Sequence, residues 1–271
     1  MDWRPANARL AGTFRVAVQG RLLVDGEGFD IAVAQCRKGQ CMRSMTSEMW
    51  GAMSQLYAFL GNSLLEPMSR TKDVGLNPEF WRGLGGLCEG ALAAPAEALA
   101  VWAERTSVGT ERPDLVRRVS LEYAKLFVGP PRPAAAPWES ANGDAPSHVG
   151  FGEATFAMRE RLRAHGLALC NENNQYEDHM GIELLYLSEL CRRAGAELAM
   201  CEDAGAQSDT PARVEPAPAD SADAAFVVDF AREHPLAWIE RFRESVGAAC
   251  PDGYYVRLLD FAESALAWQV A

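Results

Sequence analysis

The sequence predicts an all-α fold: a single globular domain of many helices. Three observations carry this. From Thr46 to the C-terminus, apolar residues recur at helical spacing in one segment after another. No alternating run strong enough for a strand stands after residue 45. Pro, Gly, Asn and Asp punctuate the segments where helices open and close. No repeat of 20–50 residues is visible, which argues against a solenoid.

Residues 1–45 read differently and are treated as an N-terminal extension to a 46–271 domain. Phe14, Val16 and Val18 alternate with smaller or polar neighbours, and Leu22 to Val24 precede Asp25-Gly26. Two short strands around a turn fit that pattern. A poorly ordered extension fits it equally. So does a mis-assigned start, with translation beginning at Met42 or Met45.

The helices follow in order. Thr46 or Ser47 caps the first, whose face holds Met49, Met53, Leu56, Tyr57 and Leu60. Asn77-Pro78 opens the second, with proline in the tolerated first turn. Pro95 starts the third, which ends near Ser107 to Gly109. Pro113-Asp114 opens the fourth, with Leu115, Val119, Tyr123 and Leu126 on one face. Gly129-Pro130-Pro131 ends it, because proline lacks the amide proton and restricts its predecessor.

A proline- and glycine-rich loop runs to Gly150, and Phe151 to His165 is helical with Gly166 as its stop. Asp178 to Arg193 forms another helix through Met180, Leu184, Leu187 and Cys191, stopped by Gly195. Residues 204–222, rich in Ala, Pro, Asp and Ser, read as a flexible linker. A helix resumes at Asp223 and breaks at His234-Pro235. The next carries Trp238, Phe242 and Val246, and after the Cys250–Gly253 turn the last carries Tyr255, Leu258, Leu259, Ala262 and Leu266.

The chain of 271 residues is 48% hydrophobic and 23% charged, and its net charge is −11. Such acidity opposes sequence-independent nucleic-acid binding, which needs clustered Lys and Arg. No apolar run approaches the roughly 20 residues of a membrane span. The first residues lack the basic and apolar regions of an export signal, so a cytoplasmic location is expected. Seven scattered cysteines without a Cys-x-x-Cys pair and four scattered histidines predict reduced thiols and no metal site. Neither a phosphate-binding Gly-x-x-x-x-Gly-Lys loop nor a Gly-x-Ser-x-Gly elbow occurs. No catalytic residues and no cofactor of its own are expected.

Two stretches stand out. Glu122 to Pro130 delivers an aromatic helix end into a rigid loop that carries Pro137, Trp138 and Glu139. On the residues alone, Tyr123, Leu126 and Phe127 read as core, whereas Trp138 and Glu139 sit on a loop, where function concentrates. A carboxylate there can fork onto a guanidinium. The second stretch, Tyr176 to Leu184, places Asp178 and His179 at a helix start. Spacing alone makes them a cap and a half-buried imidazole.

Together the two stretches resemble the TorD/DmsD family of cytoplasmic molybdoenzyme maturation chaperones. The family's aromatic-x-x-Leu-Phe is met by Tyr123, Leu126 and Phe127, its Gly-Pro by 129–130, and its Pro-Trp-Glu-Ser by 137–140. Of its Glu-Pro-x-Asp-His motif, Asp178 and His179 match, while Gln175 and Tyr176 replace Glu-Pro, with Glu172 nearby. His234-Pro235-Leu236-x-Trp238 is similar to the segment before the family's last helices. The resemblance spans about residues 46–270.

It implies a non-enzymatic, all-helical chaperone. Such a protein binds the twin-arginine signal peptide of a partner reductase of the DMSO/TMAO-reductase kind. It holds the folded part back from export until the molybdopterin cofactor is inserted. The implied signal-peptide-binding positions are Tyr123, Leu126, Phe127, Pro137, Trp138, Glu139, Asp178 and His179. Glu177 and Glu183 could add charge, and Met180 apolar contact. Part of the acidity should then gather around 139 and 172–183.

Two other readings stay open. One is a chaperone of the same fold for a non-exported, nitrate-reductase-type subunit. The other is a small-molecule or nucleotide-binding helical protein with 129–150 as a lid. Monomer and domain-swapped dimer are both compatible with long connections such as 204–222.

Overall fold

The computed structural model describes residues 45–143, 151–170, 175–206 and 222–271, with the backbone of two short strands at 15–18 and 21–22. The fold is all-α, with one small sheet. Strands β1 (Arg15–Val18) and β2 (Arg21–Leu22) pair antiparallel around a turn. β1 also pairs antiparallel with β3 (Leu167–Cys170), Val16 opposite Leu169. β3 corrects the expectation of no strand after residue 45. Its Leu-Ala-Leu-Cys sequence has no strong alternation, and its partner lies some 150 residues earlier.

The framework is a pair of long helices, α1 (Ser47–Leu65) and α7 (Met180–Ala206). Thr46 caps α1, its Oγ1 accepting from the Met49 amide at 3.2 Å. The two helices approach backbone to backbone. A Cβ on Gly61 would stand 2.7 Å from the Gly181 carbonyl, and one on Gly181 2.6 Å from Leu65 Cγ.

Gly195 is not the helix stop the sequence suggests. It lies inside α7, where a Cβ would stand 3.0 Å from Trp50 Cβ. Close packing, not termination, explains this glycine. Arg192 and Arg193 are likewise mid-helix and both pair with the buried Glu189.

Around this pair stand α2 (Pro78–Leu84, capped by Asn77), α3 (Ala93–Ser107) and α4 (Arg112–Tyr123). Two short elements follow, α5 (Glu139–Asn142) and α6 (Glu153–Ala164). α6 starts two residues after Phe151, so that ring is left outside the helix. The C-terminal set is α8 (Ala222–Glu233), α9 (Pro235–Ala249) and α10 (Tyr254–Val270).

The expected faces are buried. They include Met53, Leu56, Tyr57 and Leu60 of α1, Trp238, Phe242 and Val246 of α9, and Tyr255, Leu258, Leu259 and Leu266 of α10. Trp81, Phe261 and Tyr254 cluster between α2 and α10, and Trp81 Nε1 donates to the Gly75 carbonyl at 2.8 Å. Glu122 at the end of α4 closes the start of α10, its carboxylate accepting from the Tyr254 and Tyr255 amides at 3.1 and 3.0 Å. Most of the expected linker at 204–222, and most of the 1–45 extension, lies outside the described residues.

Candidate signal-peptide site

α4 does not simply end. It widens into a π-type turn over Ala124–Val128, closed by the Gly129 amide donating to Ala124 O at 2.8 Å. Gly129 takes φ 88°, and a Cβ there would stand 2.6 Å from the Arg132 carbonyl carbon. Only glycine fits such a position. The turn leaves the carbonyls of Lys125 and Leu126 to accept from the Ala134 and Ala135 amides at 3.3 and 2.9 Å. The loop is thereby folded back over the helix end.

Tyr123, Leu126 and Phe127 lie beneath it, all buried. The Tyr123 hydroxyl donates to Leu65 O at 2.7 Å, and Phe127 packs edge-on to Tyr123 and Tyr255. Their side chains fill the floor that carries the loop.

The loop then zips onto the start of α7. Trp138 and His179 form an antiparallel bridge. The Glu139 amide donates to Asp178 O and the Met180 amide to the buried Pro137's carbonyl, each at 2.9 Å. Asn142 Nδ2 ties the carbonyls of Ala136 and Trp138 at 2.8 Å each, and Arg241 of α9 donates to Asn142 O at 2.7 Å.

Asp178 is fully buried. Its Oδ2 accepts from the Ser140 amide and its Oδ1 from Thr155 Oγ1, both at 2.9 Å. Thr155 in turn accepts from the Gly152 amide at 3.2 Å. One carboxylate thus joins the starts of α5 and α6 to the segment that enters α7, where helix dipoles favour an anion. Burial raises its pKa, and the hydrogen bonds from Ser140 and Thr155 pull it back.

His179 caps α7. Its Nδ1 accepts from the Gly181 amide at 3.0 Å, so the proton of the neutral ring sits on Nε2. Burial lowers its pKa to about 3. The buried Nε2 has no partner among the described residues, and neither does the buried Nε1 of Trp138, whose ring stands edge-on at 6.2 Å.

A carboxyl pair lies beside them. Glu139 Oε2 is 3.0 Å from His234 Nδ1, at the break before α9. These two side chains form the accessible edge, 19% and 10% exposed. Behind them Glu183 is fully buried. Its Oε2 accepts from Trp238 Nε1 at 3.1 Å, and its Oε1 receives no N–H or O–H among the described residues. The Glu139 carboxyl is its neighbour. Burial first, and then the charges of Glu139 and Asp178, push the Glu183 pKa well up against the pull of the Trp238 N–H. Burial and the neighbouring carboxyls therefore disfavour the ionised form of Glu183.

Outside this core lies an aromatic shelf. Phe151, Phe156 and Tyr176 are exposed, with ring centroids 5.1 and 5.2 Å apart through Phe151. Tyr176 reaches Trp138 at 6.1 Å. Arg159 lies over Phe156 and forks onto Glu177 at 2.6 and 3.0 Å, so Glu177 is already paired. Met180 is wholly buried.

Of the residues singled out in the sequence, Pro137, Trp138, Glu139, Asp178 and His179 converge. Tyr123, Leu126 and Phe127 support them from below. Glu139, Asp178 and Glu183 do gather, as the acidity argument expects; Glu172 lies outside the described residues. Sequence reasoning missed Thr155 and the contact of His234 with Glu139. A signal for Glu183 was present, because a carboxylate stands in the run Met180–Cys191, which is buried throughout. Among the described residues no group of three or more His, Cys, Asp or Glu could hold a metal. No helix there is long and apolar enough to cross a membrane.

The arrangement sets buried carboxyls, and donors without a partner among the described residues, behind a partly exposed edge. Comparison with known proteins gives the family. The family model described as nitrate reductase delta subunit matches residues 89–244, more than half of the chain. The chain belongs to this family, the TorD/DmsD family. It is 35% identical over 78 residues to the probable Tat proofreading chaperone DmsD of Haemophilus influenzae. It is 38% identical over 63 residues to the Tat proofreading chaperone DmsD of Salmonella typhi. These stretches cover 28% and 23% of this chain, and 38% and 30% of the relatives.

Proposed function

We propose that this protein is a cytoplasmic maturation chaperone, not an enzyme. It binds the twin-arginine signal peptide of a molybdopterin-containing reductase and delays export until the cofactor is in place. The observation that carries the reading is the partly exposed Glu139 edge in front of buried polar groups without a partner among the described residues, Glu183 Oε1, Trp138 Nε1 and His179 Nε2. A guanidinium offers donors to carboxylates, and a peptide backbone offers acceptors to N–H groups. The aromatic shelf beside it suits the apolar run that follows two arginines. Membership of the family and the names of the relatives support the same role.

In this reading Glu139, Trp138 and His179 touch the peptide, whereas Tyr123, Leu126, Phe127, Pro137 and Asp178 hold the surface in shape. The test is calorimetric titration with a twin-arginine peptide from a neighbouring reductase gene. Glu139→Ala should weaken binding about tenfold or more, the range for a charge-assisted hydrogen bond. Asp178→Ala should weaken it through loss of loop order. Unchanged affinity in both variants would overturn the reading.

The description of the matching family favours one second reading, a client that is a non-exported nitrate reductase subunit. Binding of that subunit's N-terminal peptide in preference to the twin-arginine peptide would establish it.

A further inference from the structure

We propose that Glu139 and Glu183 together form a two-carboxyl receptor for one arginine guanidinium, and that the receptor releases a proton as the guanidinium enters. The inference rests on the proposed function and adds a binding residue and a linkage to it.

The geometry is specific. Glu139 is the accessible member, held by His234 at 3.0 Å. Glu183 is wholly buried behind it, anchored on one oxygen by the Trp238 indole at 3.1 Å. Its second oxygen takes no hydrogen bond from any N–H or O–H among the described residues, and Glu139 is the neighbouring carboxyl. An ionised, unpaired carboxylate buried this deeply is costly. Two adjoining carboxylates cannot both ionise without a cation, and one proton between them resolves the conflict.

Among the described residues, no ion pair from a lysine or arginine to either carboxyl supplies that cation. Glu139 comes from the start of α5, and Asp178 and His179 from the approach to α7. Asp178 is itself acidic, and burial holds His179 neutral. From α9 come His234, engaged with Glu139, Trp238, a neutral donor, and Arg241, which donates to Asn142 O.

A guanidinium carries five N–H donors in a planar fork and keeps all its protons. Entering between the carboxyls, it can donate to both and supply the missing positive charge. The shared proton then has no acceptor to bridge and passes to solvent. No covalent bond forms or breaks apart from the carboxylic O–H. The net charge of the site is the same before and after: minus one with the proton, and minus two plus one with arginine.

The experiment is calorimetric titration of the full chain with a twin-arginine peptide in two buffers of different ionisation enthalpy. The buffer dependence gives the protons released. We expect about one proton per peptide, and therefore an affinity that rises up to about tenfold per pH unit while the free pair holds its proton. Glu183→Gln keeps an acceptor for Trp238. It should still bind, more weakly, and release no proton.

Binding without proton release in the wild type, or equal release by Glu183→Gln, would overturn the inference while leaving the peptide-binding reading intact. No peptide binding at any pH would overturn that reading itself. Should Glu183→Gln not fold, difference infrared spectroscopy on the wild type gives the same test. A protonated carboxyl band must vanish on peptide addition; its persistence or its absence from the free protein contradicts the proposal.

Discussion

Replacing Asp178 by alanine separates a residue that shapes the site from one that meets the ligand. Two hydrogen bonds at 2.9 Å end on this wholly buried carboxylate, one from the Ser140 amide and one from the Thr155 hydroxyl. Truncation leaves both donors buried without an acceptor, each at a cost of about 1–3 kcal/mol. Relief from burying the carboxyl offsets part of this, so the net loss should be about 2–4 kcal/mol. For a chain of this size that lowers the melting temperature by about 5–15 °C. Thermal unfolding followed by circular dichroism reads the effect. Asp178→Asn retains one acceptor oxygen and should fall between the two. Thr155→Val combined with Asp178→Ala should lose less than the sum, because the two side chains share one bond. An Asp178→Ala protein that melts like the wild type yet fails to bind peptide would refute this reasoning and make Asp178 a direct ligand contact.

Two further outcomes follow from the same packing. His179 is buried with its pKa lowered from 6.5 to about 3. The unfolded chain therefore binds a proton at this residue that the folded chain refuses. Its stabilisation is complete above pH 6.5 and shrinks as pH falls from there towards 3. His179→Asn, which can still cap α7, should make stability from urea unfolding less acid-sensitive over that window, by up to about 1.4 kcal/mol per pH unit. Parallel wild-type and variant curves would contradict it. Gly195→Leu pushes a side chain into a space where even a Cβ stands 3.0 Å from Trp50 Cβ. It should cost about 1–3 kcal/mol in urea unfolding, whereas Gly83→Ala, with open space at its Cβ, should be neutral or stabilising.

Much of the fold was legible because periodicity and caps agree. Thr46, Asn77 and the Met53–Leu56–Leu60 face specify their helices locally. Gly195 misled because a glycine needed for close approach looks in sequence like one needed to end a helix. β3 was not legible, since its pairing with β1 depends on a distant partner. The site divides in the same way. Trp138 and Glu139 stand on a loop, and Asp178 and His179 at a helix start, which is local information. That Asp178 is spent on Ser140 and Thr155 is tertiary. So is the meeting of Glu139 with His234, 95 residues on. The family resemblance implied a cationic partner, but only packing tells Glu177, already paired with Arg159, from Glu183, which has no basic partner among the described residues.

The most direct test uses the indole N–H resonances of the seven tryptophans in a labelled protein, assigned by single Trp→Phe substitutions. Trp138 Nε1 has no partner among the described residues, and Trp238 Nε1 is bonded to Glu183. Trp81 and Trp102 donate to the Gly75 and Asp252 carbonyls, away from it. Adding a twin-arginine peptide should shift the Trp138 and Trp238 resonances and leave those of Trp81 and Trp102 in place, while a twin-lysine peptide should act only at higher concentration. Bound peptide with unmoved Trp138 and Trp238 signals would show that it docks elsewhere and would contradict the site described.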